Sequence, residues 1–236
     1  SGQNAIFNTV LMRNSLGEAV TRTTGIIGVL STADYHLQGV HFQVNGRHPV
    51  YDFKIKEGKF YGGQFKADIQ IEAAGRMPYS GTVVLQDIPT GELNEALPDL
   101  EKDFQGVFSG DIYFVGDRNK LLTLEANLIS QQDMLVRSAL VGWIIEYYPI
   151  SDDLVMKYLK DEIRKNPMMH FYQMEVAAQN KGQDLLKVQM RAKSRKHPIN
   201  LNYNYDLRTD GDLLSTLQRL DGLLKKGLLG IVHAQQ

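Results

Sequence analysis

The sequence contains no cysteine, which excludes a disulfide framework, a thiolate zinc site and a cysteine nucleophile. That absence does not fix a compartment, since cysteine-free chains occur in bacterial envelopes and in the cytosol alike. Charge of one sign is also lacking: 26 Lys and Arg stand against 27 Asp and Glu, a net charge of −1. Neither the basic footprint of a nucleic-acid binder nor a polyanionic surface follows from that balance, and no nucleic-acid partner is expected. Long apolar runs are missing too. The longest, Met134 to Tyr148, is interrupted by Arg137, Gly142 and Glu146, and it falls short of the roughly 20 residues that a membrane-spanning helix needs. As a helix it is apolar on nearly every side, which predicts burial between other elements or at an interface. Ser1 to Thr9 lack the basic segment and apolar run of a signal peptide, as expected of a processed chain or of a piece of a longer one.

Motifs that carry chemistry are equally scarce. Of His36, His41, His48, His170, His197 and His233, none forms the i, i+4 pair of a helical zinc site. His36 and His41 fall on opposite faces of a regular strand. His41 and His48 flank an expected turn, with no third ligand in view, so no metal or other cofactor is expected. There is no G-x-S-x-G elbow, and Ser80-Gly81 and Ser109-Gly110 sit in or beside strands, where small residues relieve crowding. Asp152-Asp153 and Asp161-Glu162 read as exposed helix charges rather than a glycosidase pair. Lys59-Phe60-Tyr61-Gly62-Gly63 lacks the spacing of a phosphate-binding loop and reads as a turn. The basic run Lys187, Arg191, Lys193, Arg195 and Lys196 reads as a solvated face; its functional alternative is contact with anionic lipid headgroups. The chain is expected not to be an enzyme.

What is abundant is two-faced strand. Phe65 to Glu72 alternates apolar and polar residues strictly, which predicts one greasy and one wet face. Tyr51, Phe53 and Ile55 alternate with Asp52, Lys54 and Lys56, and Leu186, Val188 and Met190 alternate with Lys187, Gln189 and Arg191. In Ile199 to Leu207 five apolar residues take one face, and Asn or Asp takes the other. Turn signals at Asn45-Gly46, Glu57-Gly58, Ala74-Gly75, Gly116-Asp117 and Lys181-Gly182 predict an antiparallel meander. Around Gly39 the apolar phase slips, from Tyr35 and Leu37 to Val40, Phe42 and Val44, which predicts a bulge that curves the sheet.

Helices are expected over Thr90 to Phe104, interrupted by Pro98, and then over Gln131 to Tyr148 and Ser151 to Lys165, separated by Pro149. A last helix begins near Asp210. Its leucines at 213, 217, 220, 224 and 228 form one stripe, expected to plug the open end of the sheet or, with Lys225 and Lys226, to lie on a membrane.

The segment Phe53 to Phe65, Phe-Lys-Ile-Lys-Glu-Gly-Lys-Phe-Tyr-Gly-Gly-Gln-Phe, followed by the alternating strand to Glu72, resembles the strand, glycine-rich turn, strand pattern of the AsmA-like family. Phe171 to Asn180, Leu185 to Ala192, Pro198 to Asn202 and Asp212 to Leu217 resemble the C-terminal end of its YdbH branch. Together these cover roughly residues 50 to 220. The resemblance implies a Gram-negative envelope protein, periplasmic and concerned with outer-membrane biogenesis, whose curved sheet forms a hydrophobic groove for phospholipid movement. It brings no catalytic residues.

The expectation is therefore a β-rich α+β fold in a single domain over 1–236, a curved antiparallel sheet with an open apolar groove and a few packed helices. Its ligand is phospholipid or another acyl-chain molecule, lying on Phe53, Ile55, Phe65, Ile69, Ile71, Leu186, Val188, Met190, Leu201, Tyr203 and Tyr205, with a membrane or an envelope protein as a further contact. The rival is a closed β-rich module, its faces packed by helices, serving structure or protein interaction. A hydrolase assembled from distant residues is a third reading.

Overall fold

The computed structural model describes residues 2–13, 19–31, 36–95, 103–118, 120–130, 132–147, 153–181, 185–195 and 200–208. Strands dominate because alternating sequences fit a pleat whose successive side chains point to opposite faces. They are β1 (Gly2–Arg13), β2 (Ala19–Ser31), β3 (His36–Arg47), β4 (Val50–Phe60), β5 (Gly63–Glu72), β6 (Pro78–Pro89) and β7 (Phe104–Gln105). After them come β8 (Val107–Asp117), β9 (Lys120–Ser130), β10 (Met134–Arg137), β11 (Met168–Phe171), β12 (Gln173–Lys181), β13 (Leu185–Lys193) and β14 (Asn200–Arg208). Helix α1 spans Ser138–Tyr147, α2 spans Asp153–Lys165, and a 3-10 turn occupies Thr90–Glu95.

Eleven strands form one open antiparallel sheet in the order β1-β2-β3-β4-β5-β6-β8-β9-β12-β13-β14. This is the expected meander in a β-rich α+β fold, with two excursions. The missing numbers build a second, three-stranded sheet in the order β11-β10-β7, on which the helices pack. Phe104, Met134, Val136, Leu140, Val141, Ile145, Leu159, Met169 and Phe171 fuse there into the main buried cluster. That cluster reaches the large sheet at Met174 and Ala192, with Phe108, Val176 and Met190 packed against it. The small sheet and helices thus form a cap over one end of strands β8, β12 and β13.

The sheet bends where its ladders slip. Register shifts fall between Gln38 and Phe42 on β3, between Ile55 and Gly58 on β4, and between Leu85 and Ile88 on β6. Gly39 has φ +56°, as a phase slip there requires. Gly58 pairs with Phe65 and Phe65 with Leu85, so the irregularities in β4 and β6 lie on one line across the sheet. Bulges bend a strand and increase its twist, and aligned ones curve the whole sheet.

Several local expectations need correction. Asn45-Gly46 and Glu57-Gly58 lie inside β3 and β4, and the chain turns instead at His48-Pro49 and Tyr61-Gly62. These glycines serve space rather than turning: a side chain at Gly46 would strike the Tyr51 ring, and one at Gly58 the Phe65 ring. His41 lies within β3 and His48 in the turn that follows the strand, so the two do not face each other across a turn, and with the ladder shifted beside His41 the regular strand assumed for His36 and His41 does not hold. Met134 to Arg137 is a strand, not the start of a helix, because it pairs with β11 on one side and β7 on the other while burying Met134 and Val136. Of the helix expected from Thr90 to Phe104, the described residues show a 3-10 turn over Thr90–Glu95 and a helical Asp103, residues 96–102 lie outside the described residues, and Phe104 is in β7. Thr90 is tied to Gly106 by its backbone N–H (2.9 Å) and by its hydroxyl, which accepts from the Gly106 N–H (3.1 Å). The rest of the helix expected over Gln131 to Tyr148 is α1, the one expected over Ser151 to Lys165 is α2, and the terminal one from Asp210 lies outside the described residues.

Candidate functional site

Following the ladders from edge to edge, one row of paired residues crosses all eleven strands: Phe7, Gly25, Phe42, Ile55, Ala67, Val83, Ile112, Ala126, Ala178, Val188 and Tyr205. Every member is apolar, glycine or aromatic. The neighbouring row on the same face runs Thr9, Thr23, Val44, Phe53, Ile69, Gly81, Phe114 and Leu124. On the other side lie Phe65, Leu85, Gly110, Leu128, Val176, Met190 and Tyr203. The sheet therefore carries an apolar floor perpendicular to its strands. At the ordinary spacing of about 4.8 Å per strand this floor is about 48 Å long before curvature.

The opposite face is polar along an equally continuous row of Asn8, Thr24, Gln43, Lys54, Asp68, Thr82, Tyr113, Glu125, Gln179, Lys187 and Asp206. Cross-strand contacts knit it together. Lys54 Nζ lies 3.2 Å from Asp68 Oδ2, Gln70 Nε2 donates to Asp52 Oδ1 at 2.9 Å, and Gln189 Nε2 donates to Asn204 Oδ1 at 2.9 Å. His41 Nδ1 sits 2.9 Å from Glu57 Oε1 at the bulge. Asn202, Asn204 and Asp206 are exposed, as the alternation in β14 predicts.

Glycine on the floor has a consistent partner. A Cβ on Gly25 would lie 2.6 Å from the Phe42 ring, one on Gly46 2.6 Å from Tyr51, and one on Gly81 2.8 Å from Phe114. Gly58 and Gly116 stand in the same relation to Phe65 and Tyr79. Each aromatic ring lies across the bare backbone of the adjacent strand. The floor can therefore curl without crowding and still present a smooth apolar surface. The Tyr79 hydroxyl donates to the Lys120 carbonyl at 3.1 Å, and its phenol is pushed above its ordinary value by burial and, secondly, by the charge of Asp117.

Coverage of the floor is uneven. Phe65 and Ala67 are buried, Ile55, Val83, Ile112, Ala126, Ala178 and Val188 are half-buried, and Phe53 is 37% and Phe7 59% exposed. Beyond the cap, the described helices cover little of it.

The ladders bring all eleven residues expected to contact lipid onto this one face. Phe53, Ile55, Phe65, Ile69 and Ile71 stand on β4 and β5, Leu186, Val188 and Met190 on β13, and Leu201, Tyr203 and Tyr205 pair with Ala192, Met190 and Val188. Met190 and the Ala192 partner of Leu201 lie toward or under the cap, and Leu186, at the other end of β13, is buried as well rather than in the open. Sequence reasoning missed Phe7, Phe42, Val83, Ile112, Phe114, Leu124, Ala126 and Ala178. In β8 the run Ile112-Tyr113-Phe114-Val115 is apolar on both faces, which hides its phase, and in β12 alanine gives little contrast. The aromatic opposite each glycine was the available signal.

Among the described residues no group of three His, Asp or Glu side chains is placed to hold a metal. A shallow concavity of about 320 Å³ near the β1 edge is lined by Ile6, Asn8, Ile26, His41 and Lys56 of the polar face together with Gly25 and Phe42 of the floor row. No described helix is long and apolar enough to cross a membrane. Comparisons of the chain with protein-family models, with curated proteins and with solved structures find no match.

Proposed function

We propose that this chain binds phospholipid or another acyl-chain ligand on the apolar floor and passes it across the strands without catalysing a reaction, as part of a Gram-negative cell envelope. The observation that carries this reading is the unbroken apolar row from Phe7 to Tyr205, backed by an unbroken polar row on the other face. A monomer rarely exposes an apolar patch of more than a few hundred Å² without a partner for it. An acyl chain is such a partner. Each fully buried methylene contributes about 0.8 kcal/mol, so about twelve half-covered ones hold a chain by about 5 kcal/mol with no specific polar contact. Positions along the row are chemically alike, so a chain moving from strand to strand meets no deep minimum. The envelope setting rests on the AsmA-like sequence pattern alone.

Mass spectrometry of an organic extract from the purified chain tests the reading. Stoichiometric phospholipid or fatty acid is expected, and a chain free of lipid that also fails to take up acyl chains from vesicles overturns it.

One observation favours the interaction-module reading. The edge strand β1 carries no Lys, Asp or Glu and leaves Ile6 and Leu11, on opposite faces, 73% and 71% exposed. Natural edge strands usually carry charge or a bulge to prevent strand addition. If sedimentation shows a concentration-dependent assembly that Leu11→Lys abolishes, this edge serves protein pairing.

A further inference from the structure

The polar face of the large sheet changes character at one margin. Behind β4 and β5 it carries exposed Asp52, Lys54, Lys66 and Asp68, but on the hairpin of β1 and β2 it carries exposed Ile6, Val10, Met12, Ile26 and Leu30 around Asn8 and Thr24. The floor side of β1 adds exposed Phe7 and Leu11. Arg13 and Arg22 are the only charged residues in the two strands. The hairpin is therefore largely apolar on both faces.

β1 is also an open edge. It ends the strand order, and its register with β2 runs from Gly2↔Leu30 to Arg13↔Ala19 without a slip. Among the described residues no strand pairs with its outer side. The outward backbone N–H and C=O groups thus form a regular row, without the bulge or inward charge that natural edges use against strand addition. An acyl chain on the floor covers one face and leaves this row unpaired. A bilayer leaves it unpaired too, since hydrocarbon offers no hydrogen bonds. A further strand pairs the row and flanks the side chains of both faces at once.

We propose that this edge pairs with the same edge of a second copy of the chain, antiparallel about a two-fold axis that passes through Asn8 perpendicular to the sheet. A two-fold interface must be self-complementary, and β1 meets that condition. Centred on Asn8, the pairing sets Ile6 against Val10 on one face, and Phe7 against Thr9 and Ala5 against Leu11 on the other. Apolar and aromatic residues thereby face apolar or β-branched ones, as favourable cross-strand pairs do. The two Arg13 residues fall at opposite ends of the paired strands, about 34 Å apart at the usual rise per residue, far beyond the roughly 10 Å over which exposed charges interact. Parallel pairing would set them side by side. About eleven residues of each copy take part, roughly half of what a standard interface uses, so the association depends on concentration. Both floors lie on the same side of the joined sheet, and the row through Phe7 runs on into the mate.

The chain has no cysteine, so a single introduced thiol reports the register. Residues directly opposite each other in an antiparallel pair stand about 4.5–5.5 Å apart at Cα, within reach of a disulfide. Asn8→Cys, at an exposed position, is expected to give a disulfide-linked dimer on mild oxidation. Ile6→Cys alone should stay unlinked and should link when mixed with Val10→Cys. Sedimentation of the wild type should show the mass doubling over the micromolar range and going no further. Linking of Ile6→Cys to itself without linking of Asn8→Cys, or growth past the dimer, overturns the two-fold pairing. A wild type that stays monomeric throughout that range overturns it as well, and flotation of that monomer with phosphatidylglycerol vesicles assigns the hairpin to a membrane instead. The pairing does not rest on lipid binding: a dimer that takes up no acyl chains overturns the proposed function and leaves the pairing standing.

Discussion

The cap and the floor are built from the same kinds of residue and differ in what lies over them. In the cap, Met134, Val141, Leu159 and Phe171 are wholly buried, each at 0% exposure. On the floor, Phe53 and Phe7 remain 37% and 59% exposed. The difference is one of layers. Small sheet and helices close on each other as two faces around one core, the usual way a domain hides apolar surface. Among the described residues, the eleven-stranded sheet extends well past that cover, and much of its apolar face carries no second layer. Hydrophobicity in the cap therefore serves stability, while on the open floor it meets solvent in part.

Substitution separates the two regions. Phe171→Ala in the cap removes a fully buried ring whose neighbours cannot all collapse into the space, and it should lower stability by about 3–5 kcal/mol. Leu159→Ala, on α2 in the same cluster, should cost about 2–5 kcal/mol. Chemical denaturation followed by circular dichroism reads both. A loss under about 1 kcal/mol for either would mean that the cap is not the stabilising core and would erase the contrast.

An intermediate effect is expected at the glycines beneath the rings. Gly81→Val places side-chain atoms where the Phe114 ring and the Asp68 carbonyl already lie, at 2.8 and 2.9 Å from the new Cβ. Overpacking of this kind costs about 1–3 kcal/mol, and it should flatten the floor by lifting the ring away. Both stability and acyl-chain uptake should fall, unlike in the cap, where only stability is at stake. If Gly81→Val is neutral in both assays, the ring does not rest on that backbone.

How far the sequence revealed these two regions follows from contrast. β5 and β14 could be placed and phased from alternation alone, because every second residue there is charged or amide. The phase slip at Gly39 was visible for the same reason. In β10 the four residues Met-Leu-Val-Arg are too few to show a period, and their strand state comes from pairing with β7 and β11, which lie far off in the chain. The floor was legible as isolated strands but not as one row, since register between distant strands is fixed by ladders that no local pattern encodes. Asn45-Gly46 and Glu57-Gly58 misled because glycine signals a turn and a close packing partner in the same letter, and only the facing Tyr51 or Phe65 tells them apart.

Phe53→Asp on the open floor should bring a smaller stability change than any cap substitution, about 1 kcal/mol or less, because Phe53 already meets solvent. Its effect on lipid should be large, since a carboxylate on the floor must be desolvated by any chain that crosses it. The useful measurement is the ratio of the two effects. Floor substitutions that unfold the chain as readily as Phe171→Ala would place the floor inside a closed core and favour the closed β-rich module.

The smallest effect belongs to the polar face directly behind Phe53. Lys54 and Asp68 form a cross-strand pair with an N to O distance of 3.2 Å, both side chains more than half exposed. Such pairs contribute between nothing and about 1 kcal/mol, because water screens the charges and holding two long side chains has an entropic cost. Asp68→Ala should therefore shift stability by about 0.5 kcal/mol or less and leave lipid uptake unchanged, although residue 68 lies between Ala67 and Ile69 of the floor. That near-identity in position is what gives the comparison its power: one pleat separates a residue expected to be silent from neighbours expected to matter. A drop in acyl-chain uptake with Asp68→Ala as large as that with Phe53→Asp would mean that ligand reaches both faces of the sheet, and the division between floor and polar face would lose its functional meaning.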